Sequence, residues 1–325
     1  MTADSSPATS ADHPSADRAG AQATDGAPGQ AAASAASRLT ADVAQAWIDR
    51  WDLQQQVHMP DREERFTALI DAVEAVAGRP DPLVLDLGCG PGSLATRLLD
   101  RLRGATVIAI DADSVLLALG RAAGVGRAGL RFADQDLRSP GWAAALGLDR
   151  PADAVVSTTA LHWLAPADLA TMFAEAASVL RAGGVLLNGD HLAEDERTAP
   201  TLAHLGRALI EAEDHRQFPA GHPESWTGWW TAALADPALA SAVADRERRV
   251  AGPDHHGSES PLLQSHVSAL RSAGFAEIGT LWQRGSNRLL CAVKPEAVKP
   301  EAVKPEAVKG EAVKPDAGQS EADPA

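Results

Sequence analysis

The sequence predicts an α/β fold: a seven-stranded, mostly parallel sheet with one antiparallel strand, helices on both faces and a helical cap insertion. Short apolar runs alternate with segments of helical period along the middle of the chain. A glycine-rich turn follows the first of those runs, and the last two runs are joined by a tight turn. Such strand–helix alternation is typical of a parallel sheet that is covered on both faces.

Two helices are expected ahead of the first strand. Trp47 and Trp51 lie four residues apart in a segment with an apolar face, which indicates an amphipathic helix. A second helix is expected to begin at Asp61, because Glu64 follows three residues later and the pair matches a capping box.

Five buried strands are then expected, followed by a hairpin. The apolar runs are PLVLDLG, ATVIAID, GLRFAD, DAVVST and GVLLNGD, and segments between them, such as SLATRLLDRL and DLATMFAEAASVL, have helical period. A last helix is expected to start at Ser260 and Pro261 and to end at Gly274. The segment EIGTLWQRGSNRLLCAV predicts a hairpin about Gly285 and Ser286, so one of the last two strands must be antiparallel.

Composition divides the chain into three parts. Residues 1–38 have almost no large apolar side chains, so a disordered N-terminal lead is expected. Residues 39–294 are expected to form one domain, with the cap insertion at about residues 191–258. In residues 295–325 the unit AVKPE recurs, which favours an extended, solvated tail over a solenoid. A tether for a partner is the alternative interpretation of the tail.

Charge and cysteine content narrow the kind of protein. The formal charge of −15 argues against a general affinity for nucleic acid or anionic membranes. Cys89 and Cys291 form neither a metal-spaced pair nor a disulfide framework. The N-terminus has no apolar signal segment, and no stretch reaches the ~18 apolar residues of a membrane span. These features predict a cytoplasmic protein, monomeric or homodimeric, with no nucleic-acid or membrane partner.

Tyrosine is absent from the chain and lysine from residues 1–293, although several enzyme chemistries require one of these residues. The chain has no tyrosine, and its lysines are Lys294, Lys299, Lys304, Lys309 and Lys314. A phosphate-binding P-loop, a pyridoxal Schiff base and the Tyr/Lys pair of a short-chain dehydrogenase therefore cannot be built in the expected domain.

The turn LVLDLGCGPG marks the expected ligand-binding edge of the sheet. Gly88 and Gly90 allow a sharp turn and a close approach of bare backbone to a ligand, but their spacing departs from the G-x-G-x-x-G fingerprint of dinucleotide sites. Asp86 precedes the turn, Asp111 ends the second strand where it can bind a ribose diol, and Asp136 follows the third strand within reach of an adenine amino group. Three carboxylates without a phosphate-neutralising base favour a positively charged adenosine ligand.

Together these segments resemble the class I S-adenosylmethionine-dependent methyltransferases, which have a Rossmann-like fold. The resemblance rests, in chain order, on LVLDLGCGPGSLATRLL, VIAIDAD, RFADQDLR, DAVVSTTALHWL and LRAGGVLLNGD, within residues 61–191. The LHWL element is most similar to the branch that contains trans-aconitate and malonyl-carrier-protein methyltransferases and actinobacterial relatives. The resemblance implies that the cofactor is S-adenosylmethionine.

The resemblance also implies a set of cofactor-binding positions. They are, in chain order, Asp86, Gly88, Gly90, Asp111, Asp136 and Leu137. The first three would shape the methionine pocket, the fourth would bind the ribose hydroxyls and the last two would hold the adenine. Either Arg62 or Arg65, ahead of the first strand, could pair with the methionine carboxylate; a solvated position on a helix face is the alternative for each.

The segment after the fourth strand bears on the methyl acceptor. It reads STTALHWL, whereas related enzymes that methylate amide or base nitrogens usually carry an Asn/Asp-Pro-Pro-aromatic motif there. The expected function is therefore methyl transfer to an oxygen or carboxylate of a small organic molecule. A regulatory module that binds S-adenosylmethionine without turnover is the alternative, because its pocket residues would be the same.

Two histidines and two tryptophans are the candidates for acceptor chemistry. His191 and His162 are both candidate catalytic residues, and for each the alternative is a hydrogen-bonded residue of the pocket wall. His191, after the fifth strand, is better placed as a general base for a hydroxyl acceptor, and His162 is better placed in the wall beside Trp163. A carboxylate acceptor would need no base. Trp163 and Trp226 are candidate substrate contacts, although tryptophans at helical spacing are also typical of packing, and the histidine spacing predicts no metal site.

Overall fold

The computed structural model describes residues 38–59, 61–249 and 261–296. The expected N-terminal lead, apart from Arg38, and the repeat tail from residue 297 onward lie outside the described residues. The expected start of the last helix at Ser260 also lies outside them.

The centre of the fold is a seven-stranded sheet in the order β3-β2-β1-β4-β5-β7-β6. The strands are β1 Leu83–Leu87, β2 Thr106–Asp111, β3 Leu130–Asp134, β4 Ala152–Thr158, β5 Leu180–His191, β6 Glu277–Arg284 and β7 Asn287–Val293. Strand β7 runs antiparallel to both of its neighbours, β5 and β6, and the pairs among β1 to β5 are parallel. The predicted fold class is confirmed.

Helices surround the sheet. They are α1 Ala41–His58, α2 Arg62–Ala77, α3 Ser93–Arg101, α4 Ser114–Ala123, α5 Trp142–Ala145, α6 Pro166–Val179, α7 Pro200–Gln217, α8 Trp226–Ala235, α9 Ala240–Arg249 and α10 Leu263–Ser272, with 3₁₀ turns at Leu161–Trp163 and Pro237–Leu239. None of the described helices is both long enough and apolar enough to cross a bilayer.

Strand β1 shows why the sheet needs helices on both faces. Every residue of β1 is buried, as expected for a parallel strand that is covered twice. Because side chains alternate between faces, Leu85 and Leu87 join the core that includes Phe173 of α6, whereas Val84 joins the core that includes Phe66 of α2. The continuous apolar run in the sequence therefore serves two separate cores.

The start of α2 differs from the expectation. Asp61 is the residue that precedes α2, but its side chain makes no capping hydrogen bond. The buried carboxylate instead forms an ion pair with the half-exposed Arg284 at the end of β6. The capping-box prediction is wrong: Oδ1 of Asp61 is turned to Arg284, and Oδ2 has no hydrogen-bond partner among the described residues.

The insertion between β5 and α10 contains α7, α8 and α9 in its described part. Helix α8 packs on α1 and α9 packs on α4, in a third apolar cluster that includes Trp47, Leu119 and Trp229. Arg246 and Arg249 of α9 tie the insertion to the sheet edge through ion pairs with Asp113, at 2.7 Å, and with Asp134, at 2.6 Å. The insertion thus closes over the carboxyl ends of β2 and β3.

Candidate active site

The glycine-rich turn lies where the strand order reverses, because β1 has β2 on one side and β4 on the other. In parallel α/β sheets, ligands bind at such switch points. Gly88 and Gly90 have φ angles of 65° and 56°, and a Cβ added at Gly88 would collide with the Cβ of Ala160. The turn therefore requires glycine. Its bare backbone forms part of the wall of a cavity of about 1220 Å³, which we call the first cavity.

Asp111, at the end of β2, lies in the wall of the first cavity. Its Oδ2 accepts a hydrogen bond from the Gly90 amide at 2.8 Å, and its Oδ1 accepts one from the Asp113 amide at 2.9 Å. Burial raises the pKa of this carboxyl to about 6. A carboxylate has about four acceptor sites, so the two that remain on a fixed side chain suit the two hydroxyls of a ribose.

Asp86 lies outside the lining of the first cavity, although the sequence suggested that it shapes the methionine pocket. Its side chain is fully buried in β1, and neither oxygen has a hydrogen-bond partner among the described residues. Burial, and then the nearby charge of Asp111, raise the pKa of Asp86 to about 7. Asp86 can therefore act on the cavity only through the turn above it and through Asp111.

Asp136 and Leu137, the two positions expected to hold adenine, have side chains in different environments. Asp136 lines the first cavity and forms an ion pair with Arg138 at 2.7 Å. The side chain of Leu137 points into the apolar core, in the cluster that contains Trp142. Only Asp136 presents a side chain to the cavity.

The structure distinguishes the two candidate arginines. Arg62 lines the first cavity and is only 3% exposed; its Nη2 lies 3.0 Å from Asp52, while its Nη1 has no hydrogen-bond partner in the described part of the chain. Burial lowers the pKa of this guanidinium. Arg65 lies outside the cavity lining and donates to Asn287 at 2.6 Å and to Thr158 at 2.5 Å. An unpartnered buried donor in a cavity wall indicates that Arg62 is the one available to a bound anion.

Aromatic side chains cover the first cavity. Trp51 of α1, Trp163, Trp226 and Trp230 all line it, and we call them the aromatic wall. The ring centroids of Trp51 and Trp226 are 5.3 Å apart, and those of Trp163 and Trp226 are 6.4 Å apart in a stacked arrangement. Both tryptophans expected at the substrate thus lie in the first cavity. The part that Trp51 plays was missed, because an aromatic residue on an amphipathic helix is typical of packing.

His162 is held by an acid that the sequence analysis missed. Its Nδ1 lies 2.9 Å and 3.1 Å from the two carboxylate oxygens of Asp190, which is fully buried at the end of β5. Burial lowers the pKa of His162, but the attraction of Asp190 outweighs it, so this pKa lies above its ordinary value. A carboxylate that engages Nδ1 fixes the ring and leaves Nε2 for another partner. The acid beside His191 in the run NGDH was the available signal.

A second cavity, of about 1040 Å³, begins at the same histidines. His162 and His191 line both cavities, and the second cavity continues along α7 and α10. His191 makes a long contact of 3.4 Å between its Nδ1 and the Ser286 hydroxyl. The histidines therefore stand where a ligand in one cavity would meet a ligand in the other.

The residues of the first cavity fit S-adenosylmethionine. The turn has room only for glycine, Arg62 presents an Nη1 group without a hydrogen-bond partner among the described residues, and Asp111 presents fixed acceptors. These three features match, in order, a ligand that lies close to the backbone, the carboxylate of its methionine part and the diol of its ribose. Within the described residues, no group of three or more His, Cys, Asp and Glu side chains is arranged to hold a metal ion.

Comparisons with known proteins agree with this fit. Residues 84–184 match the family model described as a methyltransferase domain. Trans-aconitate 2-methyltransferase of Azoarcus sp. (strain BH72) is 34% identical over 136 residues, which are 42% of this chain and 49% of that protein. The match thus spans about half the length of that relative.

A mycobacterial relative and a solved methyltransferase structure are also similar to this chain. A protein of Mycobacterium bovis described as an uncharacterized methyltransferase is 32% identical over 205 residues, which are 59% of this chain and 78% of that protein. The crystal structure of magnesium protoporphyrin IX methyltransferase from Synechocystis PCC 6803 has 18% identity and a TM-score of 0.45, over 76% of this chain and 94% of that one. The family model, the mycobacterial relative and the ordered motifs show that the chain belongs to the class I S-adenosylmethionine-dependent methyltransferase family.

Proposed function

We propose that this chain transfers a methyl group from S-adenosylmethionine to a carboxylate oxygen of a small organic molecule. The observation that carries the proposal is the pair of His162 and Asp190 at the junction of the two cavities. S-adenosylmethionine supplies an electrophilic methyl group with a good leaving group. The protein then has mainly to place the acceptor oxygen in line with it.

Residues of the first cavity bind and orient the cofactor in this proposal. Arg62 pairs with its carboxylate, Asp111 accepts hydrogen bonds from its ribose and Asp136 meets its adenine. The aromatic wall excludes water from the site, which strengthens each of these polar contacts.

His162 binds the acceptor carboxylate as an imidazolium. Asp190 favours the protonated ring, and the fixed Nδ1 directs Nε2 away from the acid. The positive charge of Arg65 opposes this protonation but does not outweigh Asp190. The geometry thus favours His162 over His191 for the contact with the acceptor. The relatives named trans-aconitate 2-methyltransferase, whose named substrate is a carboxylic acid, support a carboxylate acceptor.

A pH profile tests the role of His162. If the imidazolium binds a carboxylate, kcat/KM should be highest below the raised pKa of His162 and should fall as the pH rises through it. If His162 instead deprotonates a hydroxyl acceptor, kcat/KM should rise over the same interval. The measurement is the rate of methyl transfer across roughly pH 5 to 9, with alkaline release of methanol to distinguish a methyl ester from an ether.

Substitutions separate the two histidines. We expect His162→Ala and Asp190→Asn each to lower kcat/KM by ~10² and to flatten its pH dependence, and His191→Ala to cause a smaller loss. Cofactor affinity and melting temperature check that each variant is folded. Normal cofactor binding without methyl transfer to any carboxylic acid, alcohol or phenol would contradict the proposal and favour a regulatory module.

A further inference from the structure

The wall of the second cavity contains a continuous set of aliphatic side chains beside its charged ones. From the two histidines at its inner end, it continues past Leu161, Leu164 and Leu169 and then along α7. On α7 the side chains of Leu202, Leu205 and Leu209 line the cavity at spacings of three and four residues, which place them on one face of the helix. The apolar strip on α7 is about 10 Å long.

The three leucines of α7 are exposed although they are large and apolar. Their exposed fractions are 58% for Leu202, 50% for Leu205 and 52% for Leu209. Contiguous exposed apolar surface that lines a cavity marks a ligand site more often than an ordinary surface does. Because the strip continues from the histidines, its natural ligand is the apolar part of the methyl acceptor.

The charged side chains of the second cavity neutralise one another. Its three arginines face three acids of the same wall: Arg197 with Asp195 at 2.9 Å, Arg207 with Glu196, and Arg288 with Glu194 at 2.7 Å. Among the described residues of the lining, the arginines and the acids therefore balance, and the histidines remain to be considered.

His266 adds no positive charge to the second cavity. It is buried in the same wall, and burial lowers its pKa, which favours the neutral ring. Of the histidines in the lining, His162 is the one held by a buried acid, because Asp190 lies behind it in β5, whereas His191 contacts the Ser286 hydroxyl.

We infer that the second cavity takes an aliphatic monocarboxylic acid as the methyl acceptor, with its carboxylate at His162 and its hydrocarbon chain along Leu202, Leu205 and Leu209 of α7. The inference rests on the proposed function and deepens it. A polycarboxylate such as trans-aconitate would bring two or more further charges into a wall whose arginines are already paired with acids, where an unpaired anion is costly to desolvate. A hydrocarbon chain would instead cover exposed leucines.

A series of straight-chain acids tests the ligand class. Butyrate, hexanoate, octanoate and decanoate are titrated into the full-length protein by calorimetry in the presence of S-adenosylhomocysteine, and the same acids are assayed for methyl transfer with S-adenosylmethionine. We expect affinity and kcat/KM to rise about two- to fourfold for each added methylene. We expect trans-aconitate to bind more weakly than decanoate.

Substitutions on α7 test the location. Leu205→Glu and Leu209→Glu should each weaken decanoate binding at least about tenfold, because a carboxylate would border the chain. The matched control is Leu281→Glu on β6, where the leucine is 56% exposed but lines neither cavity. The control should bind decanoate as the wild type does.

The outcomes separate this inference from the proposed function. Methylation of trans-aconitate, with no binding of aliphatic acids, would overturn the inference and leave the proposed function standing. Affinity that does not depend on chain length, or equal losses in the α7 variants and the Leu281 control, would also overturn it. Chain-length-dependent binding without methyl transfer would support the ligand class and overturn the proposed function.

Discussion

At the scale of single residues, two acids with similar settings in the sequence have different environments. Asp86 and Asp111 both lie at the carboxyl end of a buried strand. Asp111 reaches the first cavity and accepts two backbone hydrogen bonds, whereas Asp86 is enclosed and has no hydrogen-bond partner in the described chain. In the strand register Asp86 lies opposite Ala109, two residues before Asp111, so both acids face the same side of the sheet and only Asp111 lies far enough along it to reach the cavity.

Asp111 should dominate ribose recognition. Asp111→Asn places an amide group where the carboxylate accepts from Gly90 and Asp113, so we expect affinity for S-adenosylmethionine to fall tens to about a hundredfold, or ~2–3 kcal/mol. Wild-type affinity should also fall as the pH drops through about 6, where this carboxyl is protonated. Calorimetry measures both. Asp81→Asn, which changes an exposed ion pair with Arg79, is the control, and unchanged affinity in Asp111→Asn would refute the assignment.

At the scale of elements, the contact between α1 and α8 joins the insertion to the cofactor side of the domain. Trp229 of α8 is fully buried and lies edge-on to Trp47 and Trp51 of α1, at centroid distances of 5.5 Å and 4.9 Å. Trp226, one turn earlier on the same helix, belongs to the aromatic wall. Packing at Trp229 therefore sets the position of a cavity residue.

Two tryptophan substitutions separate packing from ligand contact. Trp229→Ala should lower the free energy of unfolding by ~3–5 kcal/mol, because it leaves a large cavity among buried rings. Trp163→Ala should lower it by less than about 1 kcal/mol, since that side chain is 45% exposed. The loss in free energy of cofactor binding should be larger than the loss in free energy of unfolding. Urea unfolding and calorimetry measure the two quantities. Equal losses of stability would contradict this division of roles.

At the scale of the whole molecule, the strand order brings five chain segments to one edge. The turn after β1 and the carboxyl ends of β2, β3, β4 and β5 meet around the two cavities because these strands are parallel. The helices of the insertion after β5 then cover that edge of the sheet. Cofactor and acceptor residues can therefore be far apart in sequence and still share one site.

The two ends of the chain give a prediction at the same scale. Residues 1–38 and 297–325 have few large apolar side chains, so we propose that neither contributes to the core. A chain shortened at both ends should keep the melting temperature and the cofactor affinity of the full chain within error. Thermal unfolding and calorimetry provide the test, and a drop of several degrees would show that an end packs on the domain.

The sequence by itself determined the strands, the hairpin and the glycine turn, because each depends on neighbouring residues. Side-chain period and the need for positive φ at Gly88 and Gly90 are local properties. The position of Asp111 could be predicted for the same reason, since the carboxyl end of a strand lies at the ligand edge wherever the strand is placed.

Only the tertiary structure decided which distant side chains meet. Asp61 pairs with Arg284, 223 residues away, instead of capping its own helix, and His162 pairs with Asp190, 28 residues away, on the next strand of the sheet. Such partners depend on strand order and on how the insertion folds back, which no local pattern specifies. The second cavity depends on the tertiary structure in the same way, because Arg288 of β7 pairs with Glu194, 94 residues away, and the leucines of α7 face the histidines only in the folded chain.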